Sequence, residues 1–171
     1  MSLLMVSSAM ATAQTTVLLP DTSQTTTLTA NVSEQARVTV PAGVTFNVTD
    51  LAASTAASAA SVSISNIALA SATKQLKVSL QANAASFTPP VGGATTWSAG
   101  DVSWNAAAWT SATGSAGTLS NSSYNAVATC DADAGSCNST ALVFTLAAKG
   151  TVKRSGNHTL VVTWKIESIG S

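Results

Sequence analysis

Side chains that commonly carry acid–base or nucleophilic chemistry are scarce in this sequence. Its single histidine, His158, lies in the turn-forming sequence Ser-Gly-Asn-His-Thr. A serine or cysteine nucleophile needs an imidazole as its proton shuttle, and a solvated turn is a poor position for that role. The seven Asp and Glu residues carry no motif for paired-carboxylate chemistry. We therefore expect a protein that is not an enzyme and needs no cofactor.

The cysteines, Cys130 and Cys137, flank a short polar loop. Without a second cysteine pair or a nearby histidine they cannot supply the ligands of a structural zinc site. A local disulfide is expected, worth about 2 to 3 kcal/mol and typical of an oxidising compartment. Asp131, Asp133 and Gly135 resemble part of a calcium loop, but a distant bidentate Glu is missing. We interpret the loop as a polar hairpin tip.

Two features could bring the chain into contact with sugars. Trp104 and Trp164 alternate in phase with apolar neighbours and are expected in the core, where large aromatic rings are well packed. Trp97 lies in a Gly/Pro-rich segment and Trp109 is out of phase, so both could be exposed and stack on sugar rings. This gives an alternative function, a carbohydrate-binding or adhesive module. The sequence also contains five candidate N-glycosylation sites, at Asn31, Asn47, Asn121, Asn138 and Asn157.

The composition points to self-association. Charged residues make up 8% of the 171 residues, and Lys+Arg and Asp+Glu number seven each, whereas about 25% is usual. A net charge of zero provides little repulsion between copies. No cluster of basic residues exists to neutralise phosphates, which excludes an ordinary nucleic-acid-binding domain.

The first residues indicate export. Residues 1–13 contain a short apolar run and end in Ala-Thr-Ala, a sequence typical of signal-peptide cleavage. They lack a basic region, so the segment is either the remnant of a signal peptide or an ordered part of the fold. No run approaches the about 18 apolar residues of a membrane-spanning helix, so we expect no integral membrane protein. The predicted location is extracellular or at the cell surface.

Period-two alternation of apolar and polar residues dominates the rest of the chain, as in strands with one buried face. It recurs in segments 28–32, 36–40, 44–48, 76–82, 102–108, 142–146 and 160–166. About eight or nine strands with short spacings predict an all-β, antiparallel, two-layer sandwich. We expect one domain, 21–171, after an N-terminal extension, 14–20.

The last alternating segment is predicted to be a central strand of this sandwich. Its inward set would be Leu160, Val162, Trp164 and Ile166. A slip of one residue would bury the charged Lys165 instead. The register is thus strongly specified by the sequence.

The Thr/Ser/Ala/Asn-rich strands, the exported N-terminus, the local disulfide and the leader Thr-Thr-Val-Leu-Leu before Pro20 resemble subunits of bacterial and archaeal surface filaments. These include chaperone-usher and spore-coat-U pilins and fibre subunits of biofilm matrices. The resemblance implies an incomplete Ig-like sandwich that is completed by an N-terminal strand of the next subunit. Many chaperone-usher subunits differ in having a disulfide between distant early positions.

The expected function is therefore that of a structural subunit of an extracellular filament or surface layer, with other copies of the chain as its partner. The candidate donor strand is Thr15, Thr16, Val17, Leu18 and Leu19, because Pro20 lacks the hydrogen-bond donor needed to continue a ladder. Whether this strand inserts into its own subunit or the next is left open by the sequence. A head-to-tail interface of this kind propagates unless its rotation closes a ring.

Overall fold

The computed structural model of the chain describes residues 16–20 and 24–170. The chain divides into two compact units, Met1–Val32 and Ser33–Ser171. The candidate signal segment 1–13 and Thr15 lie outside the described residues. In the first unit, residues 16–20 and 24–32 contain no strand, and the side chains of Leu18 and Leu28 are 93% and 91% exposed.

The second unit is built from β-strands, and its described residues contain no α-helix. The strands are β1 (Gln35–Thr39), β2 (Thr55–Ala56), β3 (Ala60–Ala68), β4 (Gln75–Ala82), β5 (Val102–Trp104), β6 (Ala112–Gly114), β7 (Gly117–Thr118), β8 (Asn125–Cys130), β9 (Cys137–Leu142), β10 (Phe144–Leu146) and β11 (Val162–Ile169). A single 3-10 turn, Ala99–Asp101, precedes β5. No described helix is long and apolar enough to cross a membrane.

The strands form three antiparallel sheets, with the orders β1-β3-β9, β2-β10-β5-β7 and β11-β4-β8-β6. Their inward faces meet in one core, because the apolar residues of each strand recur with the period of two that a pleated strand requires. The prediction of an all-β sandwich is confirmed. On β4, for example, Leu76, Val78, Leu80 and Ala82 are all buried.

The register predicted for the last strand is correct, but its predicted position is wrong. Val162, Trp164 and Ile166 pack against the core, opposite Ala82, Leu80 and Val78 of β4. However, among the described strands β11 ends its sheet and has a paired strand on one side only. It is therefore an edge strand, and its inward side chains are only half-buried.

Two segments with strand-like alternation are not strands in the structure. Segment 36–40 corresponds to β1, whereas 28–32 and 44–48 have no regular secondary structure. Alternation predicts that one face of a segment is suited to burial, but a strand forms only where a neighbouring backbone can pair with it. Neither segment has such a neighbour among the described residues.

Candidate functional site: an open groove beside the last strand

An open groove of about 1070 Å³ lies within the second unit. One wall comes from the sheet that contains β5 and β10, through Val102, Phe144 and Leu146. The other comes from the sheet that contains β4 and β11, through Leu80 and Trp164. The groove thus lies between two sheets, in the place where the side chains of a further strand would pack.

The floor and the sides of the groove differ in exposure. Leu80, Leu119 and Leu146 on the floor are buried in the core. At the sides, large apolar residues pack against the core but remain partly exposed; they are Phe46, Val48, Leu51, Leu160, Val162 and Trp164. A contiguous apolar surface of this kind on a soluble protein is typical of a binding surface.

The first residues of β11, Val162 and Trp164, form one rim of the groove. On its other side, β11 pairs with β4 along the whole strand, from Val162 opposite Ala82 to Ile169 opposite Gln75. No described strand pairs with the edge of β11 that faces away from β4. A row of unpaired backbone N–H and C=O groups is a ready template for another strand.

The other rim is the irregular segment 41–48, which also lines the groove. Val44, Phe46 and Val48 alternate along it with polar residues. In segment 44–48 the backbone–backbone hydrogen bond is that from Val48 N–H to the Phe46 carbonyl, at 3.1 Å. This rim therefore presents a strand-like alternation of apolar side chains to the groove.

His158 holds the loop at one end of the groove. Its Nε2 donates to the Arg154 carbonyl at 3.1 Å, so in the neutral ring Nδ1 accepts from the Thr96 hydroxyl at 2.7 Å. Its ring packs edge-on against Trp97, with ring centroids 5.2 Å apart. Because both nitrogens bind protein groups, we assign His158 a structural role.

An ion pair fixes the chain that leads into this loop. Lys149 Nζ lies 2.8 Å from Asp101 Oδ2, which also accepts from the Ser98 backbone N–H at 2.7 Å. Partial burial is the largest influence on the pKa of Asp101 and raises it, but the hydrogen bonds from Lys149 and Ser98 together outweigh burial and hold this pKa below its ordinary value. The Asp101 carboxylate thereby joins the start of β5 to Lys149, the residue before the groove-lining loop that begins at Gly150.

The predicted disulfide is confirmed. Cys130 and Cys137 are bonded to each other, and both side chains are fully buried in the core. They join the end of β8 to the start of β9 and do not line the groove. Their role is to hold the closed part of the sandwich together.

The structure does not place the two candidate sugar-stacking tryptophans together on an exposed surface. Trp97 is only 5% exposed, so its ring is not free to stack on a sugar as the alternative function requires. The ring fills a space beside Phe87, and its Nε1 donates to the Ala147 carbonyl at 2.9 Å. Trp109 is partly buried against the core, and its Nε1 has no hydrogen-bond partner.

The five candidate glycosylation sites differ in accessibility. Asn31, Asn47, Asn121 and Asn157 are exposed, and Asn157 also lines the groove. Asn138 is half-buried, and its Oδ1 accepts from the Ser63 hydroxyl at 2.8 Å and from the Ile64 N–H at 3.2 Å. A glycan on Asn138 would disrupt these two contacts.

In the candidate donor strand, Thr16, Leu18 and Leu19 are exposed and Val17 is half-buried. Sequence reasoning identified this segment but missed the groove, although the alternation in 44–48 was a signal of it. Comparison of the chain with known protein families, curated proteins and solved structures finds no match. The interpretation of the groove depends on its own geometry.

Proposed function

We propose that the protein is a structural subunit of an extracellular filament or surface layer, in which the groove of one copy accepts a strand from the N-terminal part of another. The observation that carries this proposal is the apolar groove beside the free edge of β11. An inserted strand would cover the half-exposed side chains and pair with backbone groups on the rim.

The low charge supports the same proposal. Identical copies with a formal net charge of zero repel each other little. A strand and a groove are different surfaces, so each copy would present one free strand and one free groove. Such a heterologous contact adds copies in one direction and builds a filament unless the rotation closes a ring.

Electron microscopy and light scattering on two neighbouring variants test the proposal. Phe46→Lys would place a charge in the groove, whereas Asn47→Lys adds the same charge at an exposed neighbour that does not line it. We expect filaments from the wild-type protein and from Asn47→Lys, and monomers from Phe46→Lys. A wild-type protein that stays monomeric at high concentration, or filaments in all three, would refute the groove as the assembly surface.

A further inference from the structure

We infer that the strand inserted into the groove is Thr25–Val32 of a second copy; this inference rests on the proposed function. In this segment Leu28, Ala30 and Val32 alternate with Thr27, Thr29 and Asn31. Leu28 and Val32 are 91% and 75% exposed, and the segment has no regular secondary structure. The segment has the pattern of a half-buried strand. Among the described residues, however, no strand pairs with it, and its large apolar side chains are not buried.

The chemistry of the segment suits the groove. The sequence Thr-Thr-Thr-Leu-Thr-Ala-Asn-Val contains no charged side chain that would have to be buried. Its Thr residues favour the extended backbone because their branched Cβ suits a pleated surface.

The earlier candidate, Thr15–Leu19, fits less well. It offers only Val17 and Leu19 at alternate positions before Pro20 ends it. The segment Thr25–Val32 offers three alternating apolar residues. The rim opposite β11 offers the same number, through Val44, Phe46 and Val48.

The position of Glu34 favours insertion into a second copy. Glu34 Oε1 accepts from Ala70 N–H at 2.8 Å, pairs with Lys74 Nζ at 2.9 Å and accepts from the Ser168 hydroxyl at 3.3 Å. These contacts place Glu34 near the C-terminal end of β11. The groove, in contrast, is lined by residues 160–162 and Trp164 near the other end.

Only Ser33 separates the segment from Glu34. To pair with β11 of its own chain, residues 25–32 would have to run parallel to that strand, because Val32 cannot reach the far end of it. Every described strand pair in the molecule is antiparallel, and parallel pairing is slightly weaker per residue. A strand from a second copy is free to enter in the antiparallel direction.

The first test compares two matched double variants of the full chain. Leu28→Lys/Val32→Lys charges the segment proposed here, and Val17→Lys/Leu19→Lys charges the earlier candidate. We expect only the first pair to abolish filaments in electron microscopy. If the second pair abolishes them and the first does not, the assignment to Thr25–Val32 is wrong while the groove proposal stands.

The second test separates a second copy from the same chain. Ala30→Cys is combined in turn with Leu160→Cys, Val162→Cys and Trp164→Cys; the native cysteines are bonded to each other. After oxidation, a ladder of cross-linked oligomers on a denaturing, non-reducing gel is expected for at least one combination. A cross-linked monomer would mean insertion into the same chain, and no cross-link in any combination would overturn the assignment.

Filaments that form in the wild type, vanish in Phe46→Lys and persist in Leu28→Lys/Val32→Lys would overturn this inference alone. A wild-type protein that forms no filaments, together with cysteine variants that form no cross-linked oligomers, would contradict the proposed function as well. The two failures are therefore distinguishable.

Discussion

The region around β3, β4, β8 and β9 and the region around β11 are built from the same kind of strand but differ in completeness. In the first, Ile64, Val78, Val127 and Leu142 are fully buried, and β3, β4 and β8 each have a neighbour on both sides. In the second, Leu160, Val162 and Trp164 are half-buried beside a free edge.

Under the proposed function, the closed region would stabilise the single chain and the groove would mediate association between copies. A core that is already closed gains little from a partner, so its side chains stabilise the single chain. Half-exposed side chains beside an unpaired edge contribute less to the single chain and more to a complex that covers them. We therefore expect substitutions in the closed region to change unfolding and substitutions in the groove to change association.

The largest effect on stability is expected for Ile64→Ala. Ile64 lies on β3, the central strand of its sheet, and its side chain is fully buried in the core. Its truncation would lower the free energy of unfolding by about 2 to 5 kcal/mol. Urea denaturation measures this loss. Val44→Ala, at the exposed rim of the groove, is the control and should cost less than about 0.5 kcal/mol; equal losses would contradict the contrast between the two regions.

Removal of the disulfide comes next. Cys130→Ser/Cys137→Ser should lower the free energy of unfolding by about 2 to 3 kcal/mol, because the seven-residue separation closes only a short loop in the unfolded chain. A reducing agent should destabilise the wild type and leave the variant unchanged. Since the disulfide does not line the groove, variant filaments are expected below the unfolding transition, and their loss there would link the closed region to assembly.

A smaller effect on stability, with a clear effect on association, is expected for Leu160→Ala. The side chain is already partly exposed in the single chain, so the free energy of unfolding should fall by about 1 kcal/mol or less. The concentration at which filaments appear should rise about tenfold, which corresponds to about 1.4 kcal/mol of lost contact. Thr140→Ala, at an exposed position on β9, should change neither quantity. An unchanged filament threshold in Leu160→Ala would remove this residue from the interface.

The smallest effect is the pH dependence that comes from Asp101. Its pKa in the folded chain is below the ordinary value of 3.8, so the carboxylate stabilises the fold at pH values above 3.8. This contribution decreases as the pH falls through 3.8 and is lost below the pKa of the folded state. Asp101→Asn should cost about 1 kcal/mol at pH 7, and chemical denaturation should show this difference shrinking towards pH 3. A stability difference that grows as the pH falls would contradict a lowered pKa of Asp101 in the folded chain.

The inward set of β11 and the bond between Cys130 and Cys137 could be predicted from the sequence because both are local. Alternation decides which face of a strand is buried, and a short loop brings two thiols together. The edge position of β11 could not be predicted, because the order of strands in a sheet depends on long-range pairing. The sequence left open whether Trp97 is exposed for the same reason: its loop is held over the core by long-range contacts with Ala147 and His158.

Segments 28–32 and 44–48 are a second case in which long-range pairing could not be predicted from the sequence. Their alternation predicted strands, and residues 16–20 and 24–170 supply no strand that pairs with either. In this account the pattern is correct for the assembled protein, because both segments would pair within one groove, 28–32 from one copy and 44–48 from the next. Sequence alone cannot tell a partner in the same chain from one in another copy.

Hydrogen–deuterium exchange on the assembled and the monomeric protein tests the central claim most directly, with the non-assembling Phe46→Lys variant as the monomer. The account predicts that peptides covering residues 25–32, 44–48 and 160–164 exchange rapidly in the monomer and become protected on assembly. Peptides from β3 and β8 should be protected in both states. Filaments in which all three groove segments exchange as rapidly as in the monomer would contradict strand insertion.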